Sequence, residues 1–115
     1  MKILVTGGRA ADPWEVCDHL HFLLDDRTDI ECIIEGGAKG ADRGARYYAQ
    51  ETNKMVLTFS ADWEKYGKSA GFIRNKQMRD EGQPDLIIAF PGGAGTKMMI
   101  ELGEEKNIPI HKVGV

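Results

Sequence analysis

Three short apolar segments of the chain each run into a glycine-rich turn, and each turn is followed by a helical pattern of apolar residues. The turns begin near Gly7, Gly36 and Gly92. The segments before them carry aliphatic or β-branched residues at nearly every position, which is typical of strands covered on both faces of a parallel sheet. This repeated order of strand, glycine turn and helix predicts an α/β fold.

The full order of predicted elements continues this alternation. Strands are predicted at residues 2–6, 31–35, 55–59, 85–90 and 108–113, and helices begin near residues 13, 41, 70 and 95. Asp12 followed by Pro13 marks the first helix start, because the carboxylate caps free amides and proline fits the first helical position. Strands that alternate with helices favour parallel pairing through right-handed crossovers. We therefore expect a three-layer, Rossmann-like, doubly wound five-stranded parallel sheet with helices on both faces.

Length and composition fit one globular domain, residues 1–115. A chain of 115 residues is near the common domain size, and 42% hydrophobic with 29% charged residues gives no signature of disorder. No apolar run approaches the roughly 18 residues of a membrane span. The first strand pattern starts at Lys2, which leaves no room for a signal peptide. We expect a cytoplasmic protein with no membrane partner.

The cysteines, the histidines and the net charge bear on three further possibilities: a disulfide, a metal site and a nucleic-acid partner. Cys17 and Cys32 form no CxxC pair, so reduced, packed thiols are expected rather than a disulfide or a metal site. His19 and His21 lie off the apolar stripe of the first helix, which favours solvated side chains over metal ligands. A net charge of −3 argues against a nucleic-acid partner, because such domains usually carry a basic surplus. No metal and no cofactor are predicted.

The glycine turns all fall at one edge of the predicted sheet. In parallel α/β sheets ligands bind in the crevice beyond the carboxyl ends of the strands, and this edge gathers the three turns together with residues 60–63. Glycines let the backbone approach a ligand, and the free amides and positive dipole end of a helix favour a phosphate. Any one loop could be a plain reversing turn, but three on one edge predict a crevice for an anionic ligand.

Two common phosphate motifs do not fit the chain. A P-loop needs GxxxxGK followed by Ser or Thr, whereas Lys39 here precedes Gly40 and no hydroxyl follows. A dinucleotide fingerprint needs GxGxxG after the first strand, and residues 7–10 do not supply it. No Ser-His-Asp set or metal-ligand spacing stands out either. Neither Walker-type ATP hydrolysis nor hydride transfer is supported.

The predicted phosphate contacts come from the last glycine turn and from the helix that precedes it along the chain. Amides of residues 92–96 and the Thr96 hydroxyl would hold the phosphate, with Arg74 as a bidentate partner. Arg74 and Asn75 share one helix face with Gly71 and Met78. A face that is normally apolar thus carries a guanidinium and an amide, and local rules tend to fail where function intrudes.

The other polar residues at this edge each keep two interpretations. Arg9 and Lys39 are candidate second cations or solvated surface charges. Asp42 or Asp62 could accept from ribose hydroxyls, and Asp42 could equally cap its helix. Trp63 could stack on a base or simply pack. The residues predicted to bind the ligand are Gly7, Gly8, Arg9, Gly36, Gly37, Lys39, Gly40, Asp42, Asp62, Trp63, Arg74, Asn75, Pro91, Gly92, Gly93, Gly95 and Thr96.

Five motifs in this order resemble a known family. They are VTGGR at residues 5–9, GGAKGAD at 36–42, ADWEKYG at 61–67, RNKQM at 74–78 and AFPGGAGT at 89–96. Together they are similar to the YspA/YpsA-related branch of the SLOG superfamily. The resemblance implies a Rossmann-like module that binds a nucleotide or a nucleotide-derived ligand.

The best-known SLOG enzymes, the LOG proteins, cleave the N-glycosidic bond of a nucleoside monophosphate. Their PGGxGTxxE motif ends in a glutamate, whereas Met99 stands at that position here. Glu101 lies two residues further, about 200° around a helix, and cannot simply substitute. A carboxylate normally stabilises the oxocarbenium-like state of such a cleavage, so Asp62, Asp42 or Glu35 would have to serve. Arg74 matches the arginine of a second LOG motif.

The sequence therefore leaves several functions open. The first is a nucleotide-binding sensor or carrier module. The second is a nucleotide-processing N-glycosidase with Arg74 and Asp62 as candidate catalytic residues. A DNA-binding protein like DprA is third, and the acidic charge counts against it. The LOG resemblance also implies a homodimer, with Phe72, Met98 and Met99 available to bury a helix pair.

Overall fold

The computed structural model describes residues 1–114, and in it all strands belong to one parallel sheet. The strands are β1 (Lys2–Thr6), β2 (Cys32–Glu35), β3 (Met55–Thr58), β4 (Leu86–Ala89) and β5 (Ile110–Lys112). Their order is β3-β2-β1-β4-β5, and every neighbouring pair is parallel. The predicted fold class is confirmed, although strands 2, 4 and 5 start later, and strands 3, 4 and 5 end earlier, than their apolar runs indicated.

Helices cover both faces of the sheet. The long helices are α1 (Pro13–Leu24), α2 (Ala41–Glu51), α4 (Ala70–Asp80) and α5 (Ala94–Glu105), and a single turn, α3 (Trp63–Tyr66), precedes α4. Side chains alternate across a strand, so Ile3 and Val5 pack with α1 and α2, whereas Leu4 packs with α4 and α5. Two apolar cores therefore form, one on each face.

The start of α1 follows the predicted capping pattern. The Asp12 carboxylate accepts hydrogen bonds from the amides of Trp14 at 2.9 Å and Glu15 at 3.4 Å, and Pro13 is the first helical residue. Cys17 is buried on the apolar side of this helix, and both cysteines are free thiols in the core. The expectation that both cysteines pack in the interior is confirmed.

The prediction of two solvated histidines is wrong for His21. Both of its ring nitrogens are engaged, Nδ1 with the Asp25 carboxylate at 2.9 Å and Nε2 with Glu51 Oε1 at 2.8 Å. Glu51 lies at the end of α2, 30 residues further along the chain. A pattern confined to α1 could not reveal a partner on another helix.

The segment after β3 is more ordered than the linker that was predicted. Asp62 accepts a hydrogen bond from the Lys65 amide at 3.1 Å and caps α3. A 3₁₀ turn, Gly67–Ser69, then leads into α4. None of these residues is buried, so the segment lacks the apolar stripe by which a helix is recognised in sequence.

The chain reverses its direction of winding between β1 and β4. From β1 it proceeds outward to β2 and β3, and it then returns across the sheet to β4 and β5. The Gly8 amide donates to the Pro91 carbonyl at 2.9 Å and joins the loops that follow β1 and β4. Such a switch point is where doubly wound folds bind ligands. Among residues 1–114, no helix is long and apolar enough to cross a bilayer.

Candidate functional site

A cavity of about 500 Å³ opens at the carboxyl edge of the sheet, above the switch point. Ten of the seventeen predicted ligand-binding residues line it, contributed by the loops after β1 and β4 and by α2, α3, α4 and α5. These residues are Gly7, Gly8, Arg9, Asp42, Trp63, Arg74, Asn75, Gly93, Gly95 and Thr96. The structure thus brings together side chains and amides that lie far apart in the sequence.

The first turn of α5 forms one wall of the cavity. Gly93 is the N-cap residue, and no side chain among residues 1–114 caps this helix. The first amides of a helix have no partner within it and carry the positive end of its dipole. This wall therefore offers free hydrogen-bond donors to an anion.

Two glycines of this wall have no packing reason to be glycine. A Cβ atom added at Gly93 or at Gly95 would meet no heavy atom within 4 Å. Gly92 differs, because its added Cβ would lie 2.2 Å from Thr96 Oγ1 and 2.7 Å from the Gly8 amide nitrogen. Gly92 is therefore needed for packing, whereas Gly93 and Gly95 leave the cavity side of the turn bare.

Arg74 faces this wall from α4. Its Nη1 donates to the Gly36 carbonyl and its Nε donates to Asn75 Oδ1 at 2.8 Å. Burial lowers the pKa of the Arg74 guanidinium, Asp42 opposes that shift, and the charge of Arg9 adds to it. Because an arginine pKa starts far above neutrality, the group stays charged. The result is a partly buried cation with room for an anionic partner.

Asn75 connects α4 to the first turn of α5. Its side chain is 5% exposed, and Nδ2 donates to the Gly95 carbonyl at 3.2 Å while Oδ1 accepts from Arg74. The amide thus holds the guanidinium and the helix start in a fixed relation. The four residues predicted to share one face of α4, Gly71, Arg74, Asn75 and Met78, all line the cavity.

The charge of the cavity wall is mainly positive. Within residues 1–114, the lining includes the cations Arg9, Lys68 and Arg74 and one acid, Asp42. The Asp42 carboxylate accepts from the Ala38 amide at 3.1 Å, and burial raises the pKa of this group. An anion that enters the cavity meets more attraction than repulsion.

The three carboxylates that could replace the LOG glutamate occupy different places. Asp42 lines the cavity. Glu35 is fully buried, and it accepts from the Gly37 amide at 2.7 Å and from the Thr58 hydroxyl while Arg46 Nη1 lies 3.6 Å away. Asp62 caps α3 and lines a separate small cleft. Of these three residues, Asp42 alone belongs to the main cavity.

The aromatic side of the cavity is formed by Trp63. Half of this side chain is exposed, and the guanidinium carbon of Arg9 lies 5.8 Å from the ring centroid. An exposed indole with a cation over its face offers a flat surface on which another ring could stack.

The remaining predicted residues lie beside the cavity. Gly36, Gly37 and Lys39 line an adjoining cleft of about 460 Å³ that shares Arg9, Trp63 and Arg74 with it. Pro91 and Gly92 face cavities on the other side of their loop. Gly40 has a φ of +72° and packs against the Gly8 carbonyl.

Several residues line the cavity that were not predicted to bind the ligand, and Lys68 and Phe72 are the largest changes to the expected site. Lys68 belongs to the 3₁₀ turn and Phe72 follows Gly71 near the start of α4. Neither belongs to a glycine turn or to the polar face of α4. No local sequence pattern therefore indicated that either side chain reaches the crevice.

Position 99 differs sharply from the LOG motif. Met99 is fully buried in the core with Leu4 and Ile87, so it contributes nothing to a dimer surface and that part of the homodimer expectation is wrong. Glu101 is exposed and lines a cavity on the other side of α5. The structure therefore agrees that Glu101 cannot take the place of the missing glutamate.

Comparison with known proteins identifies the family. The model of the YspA, cpYpsA-related SLOG family matches residues 1–66. The chain belongs to this family. It is also 33% identical to the gene 61 protein of Mycobacterium phage D29 over 121 aligned residues, which cover 98% of this chain and 96% of that protein. SLOG membership indicates a nucleotide-related binding or processing module. Arg74 and the loop after β4 lie beyond the matched residues.

Proposed function

We propose that the crevice binds the 5′-phosphate of a nucleotide or nucleotide-derived ligand and that the protein acts as a sensor or binding module. The observation that carries this proposal is the meeting of Arg74 with the uncapped start of α5 in one cavity, where Gly93 and Gly95 leave the amides accessible. Amides at a helix start and a guanidinium are the groups that recognise phosphate best in proteins.

The rest of the ligand would extend from the phosphate toward Trp63. The indole face would stack on the base, and Asp42 would accept from a ribose hydroxyl. Both residues line the same cavity as Arg74. A cavity of about 500 Å³ lies within the usual range for small-molecule sites.

Titration calorimetry with 5′-AMP and with adenosine tests the proposal. We expect 5′-AMP to bind at least about ten-fold more tightly than adenosine, because hydrogen bonds to charged groups contribute about 1.5–3 kcal/mol. Arg74→Ala should weaken 5′-AMP by about 10- to 100-fold and leave adenosine nearly unchanged. The matched control is Lys76→Ala, which removes one charge from an exposed position of the same helix. Equal affinity for the two ligands would refute the phosphate site.

A second candidate function is cleavage of the N-glycosidic bond. It is favoured by Asp42, a buried carboxylate with a raised pKa that lines the same cavity as the proposed phosphate site. A carboxyl group whose pKa is raised by burial is suited to act as a general acid on the departing base. Arg74 would then hold the phosphate of the substrate during the reaction.

Release of free base from nucleoside monophosphates separates the two functions. If the protein is an N-glycosidase, chromatography should detect free base, and Asp42→Asn should abolish it while Asp62→Ala, outside the main cavity, should not. Binding of 5′-AMP without any release of base would leave the sensor function as the one supported. The acidic net charge of −3 gives no support to DNA binding.

A further inference from the structure

A second cluster of reactive side chains lies between α1 and α2, away from the crevice. It consists of Cys17 and His21, one turn apart on α1, and Glu51 at the end of α2. Both helices start at the crevice edge of the sheet and run toward the opposite edge. The cluster sits in the later turns of each helix and shares no residue with the proposed phosphate site.

The geometry of the cluster brings three different donor atoms together. Cys17 Sγ lies 3.2 Å and His21 Nε2 lies 2.8 Å from the same oxygen, Glu51 Oε1. One donor atom from each residue lies within 4.8 Å of the other two. In a tetrahedral zinc site with ordinary bond lengths, such donor atoms are separated by about 3.4–3.6 Å. To surround an ion, the two contacts to Glu51 Oε1 would lengthen by about 0.3–0.5 Å, and Cys17 Sγ and His21 Nε2, which lie within 4.8 Å of each other, would settle at about 3.5 Å.

The Nδ1 nitrogen of His21 already has the carboxylate partner that ligating histidines have in metal sites. Nδ1 contacts both oxygens of the Asp25 carboxylate, at 2.9 and 3.1 Å. Nε2 in turn donates to Glu51 Oε1 at 2.8 Å, so both ring nitrogens carry a proton here. With Nδ1–H held by Asp25, loss of the Nε2 proton would leave the lone pair that most ligating histidines offer to a metal. Asp25 therefore orients His21 toward the point between Cys17 and Glu51.

An unpaired polar group beside the cluster points to a missing partner. Tyr48 is fully buried, its ring packs edge-on against His21 at a centroid distance of 4.9 Å, and its hydroxyl has no hydrogen-bond partner among residues 1–114. The Thr52 hydroxyl donates instead to the Tyr48 carbonyl at 2.7 Å. Burial and the charge of Asp25 raise the pKa of this phenol, the Thr52 side chain lowers it, and the Cys17 thiol raises it. Buried hydroxyls are rarely left unsatisfied without a reason.

We propose that Cys17, His21 and Glu51 form a site for one divalent transition-metal ion of the zinc class. Thiolate, imidazole and carboxylate are the donor set of zinc. Three protein ligands leave a fourth position for water, and a bound water would supply the partner that the Tyr48 hydroxyl lacks. Besides burial, three carboxylates, Asp18, Asp25 and Glu51, each raise the pKa of the Cys17 thiol through their charge. The same charges give the site a negative potential that attracts a cation.

Metal binding at this site requires deprotonation. In the structure the Cys17 thiol donates a hydrogen bond to Glu51 Oε1 at 3.2 Å, so its sulfur carries a proton that a metal ion must displace. On binding, the sulfur–metal and Nε2–metal bonds form, the S–H bond of Cys17 and the Nε2–H bond of His21 break, and both protons leave to solvent. The affinity for the metal should therefore increase as the pH rises.

The site would link the two helices that cover one face of the sheet. Two ligands come from α1 and one from α2, so the ion would replace the two hydrogen bonds that now join these helices at Glu51 with coordination bonds. The cluster is open to solvent on one side, because His21 and Glu51 side chains are 30% and 48% exposed. An ion can therefore enter without unfolding of the core.

Metal titration of the chain without an affinity tag tests the proposal. We expect native mass spectrometry to show one Zn²⁺ per chain, and Co²⁺ to produce the near-ultraviolet charge-transfer absorption of a cobalt–thiolate bond. His21→Gln and Glu51→Gln, both at partly exposed positions, should each weaken Zn²⁺ binding at least ten-fold, and Asp25→Asn should weaken it by about 10-fold. Cys17→Ser should abolish the cobalt band.

His19→Gln and Cys32→Ser are the matched controls. His19 lies two residues from His21 on the same helix, and Cys32 is the other buried cysteine; neither variant should change the affinity by more than about two-fold. The proposal is overturned if no stoichiometric Zn²⁺ binds, if the cobalt complex lacks the thiolate band, or if His21→Gln and Glu51→Gln bind as tightly as the unmodified chain. If Cys17→Ser does not fold, the two exposed-ligand variants still decide the outcome.

Discussion

The turn after β2 and the turn after β4 are both rich in glycine, but for different physical reasons. In the first, the glycines are explained by the fold: Gly40 has a φ of +72°, and a Cβ there would lie 2.3 Å from the Gly8 carbonyl oxygen. In the second, a Cβ at Gly93 or Gly95 would meet nothing within 4 Å. Glycine that packing does not require, at an uncapped helix start, points to the close approach of a ligand.

The largest expected effect is on the glycine that the fold requires. Gly40→Ala should lower the free energy of unfolding by about 2–5 kcal/mol, because a left-handed φ is unfavourable for alanine and the added methyl group collides with backbone. Urea denaturation measures this loss. A change below about 0.5 kcal/mol would remove the distinction between the two turns.

Gly93→Val tests the opposite expectation in the second turn. The affinity for 5′-AMP should fall at least about ten-fold, because the side chain would cover the first amides of α5 where a phosphate is proposed to dock. The free energy of unfolding should fall by less than about 1 kcal/mol, since valine is a poor N-cap residue but meets open space. If the variant keeps its affinity for 5′-AMP but loses several kcal/mol of unfolding free energy, Gly93 has a structural role and not a binding role.

A change at Gly95 should act on stability and binding in opposite directions. Gly95 lies inside α5 and faces open space, so Gly95→Ala should raise the free energy of unfolding by about 0.5 kcal/mol. The same methyl group should weaken 5′-AMP binding. Thermal unfolding and calorimetry on one preparation measure both quantities, and an increase in both would contradict the proposed use of this glycine.

The smallest expected effect is a pH dependence that arises in the first turn. Burial raises the pKa of Asp42 above its ordinary value of 3.8, so its contribution to stability is fully present below that value and is lost as the pH rises through the folded-state pKa. Asp42→Asn removes this titration and retains an acceptor for the Ala38 amide. Between about pH 3 and pH 7, the unmodified chain should therefore lose stability relative to the variant. A constant difference would show that burial does not govern this carboxylate.

Much of the fold was predictable because its signals are local. The strands can be recognised in the sequence as short runs rich in aliphatic residues. The start of α1 can be recognised from two adjacent residues, Asp12 and Pro13. The polar face of α4 was also visible, since Arg74 and Asn75 interrupt a helical stripe. These features depend on contacts between near neighbours, which sequence patterns record well.

The parts that were missed depend on contacts between distant elements. Lys68 and Phe72 line the cavity together with residues of the loops after β1 and β4. His21 contacts Glu51 because α1 packs on α2. None of these relations has a signature within one helix or strand.

The proposed docking of a phosphate at the start of α5 is tested most directly by the backbone amides themselves. In a ¹⁵N-labelled sample titrated with 5′-AMP, we predict the largest chemical-shift changes at Gly93, Ala94, Gly95 and Thr96, with smaller ones at Gly37 and Ala38. Largest changes in the turn after β2, or changes spread evenly over the crevice, would contradict the account.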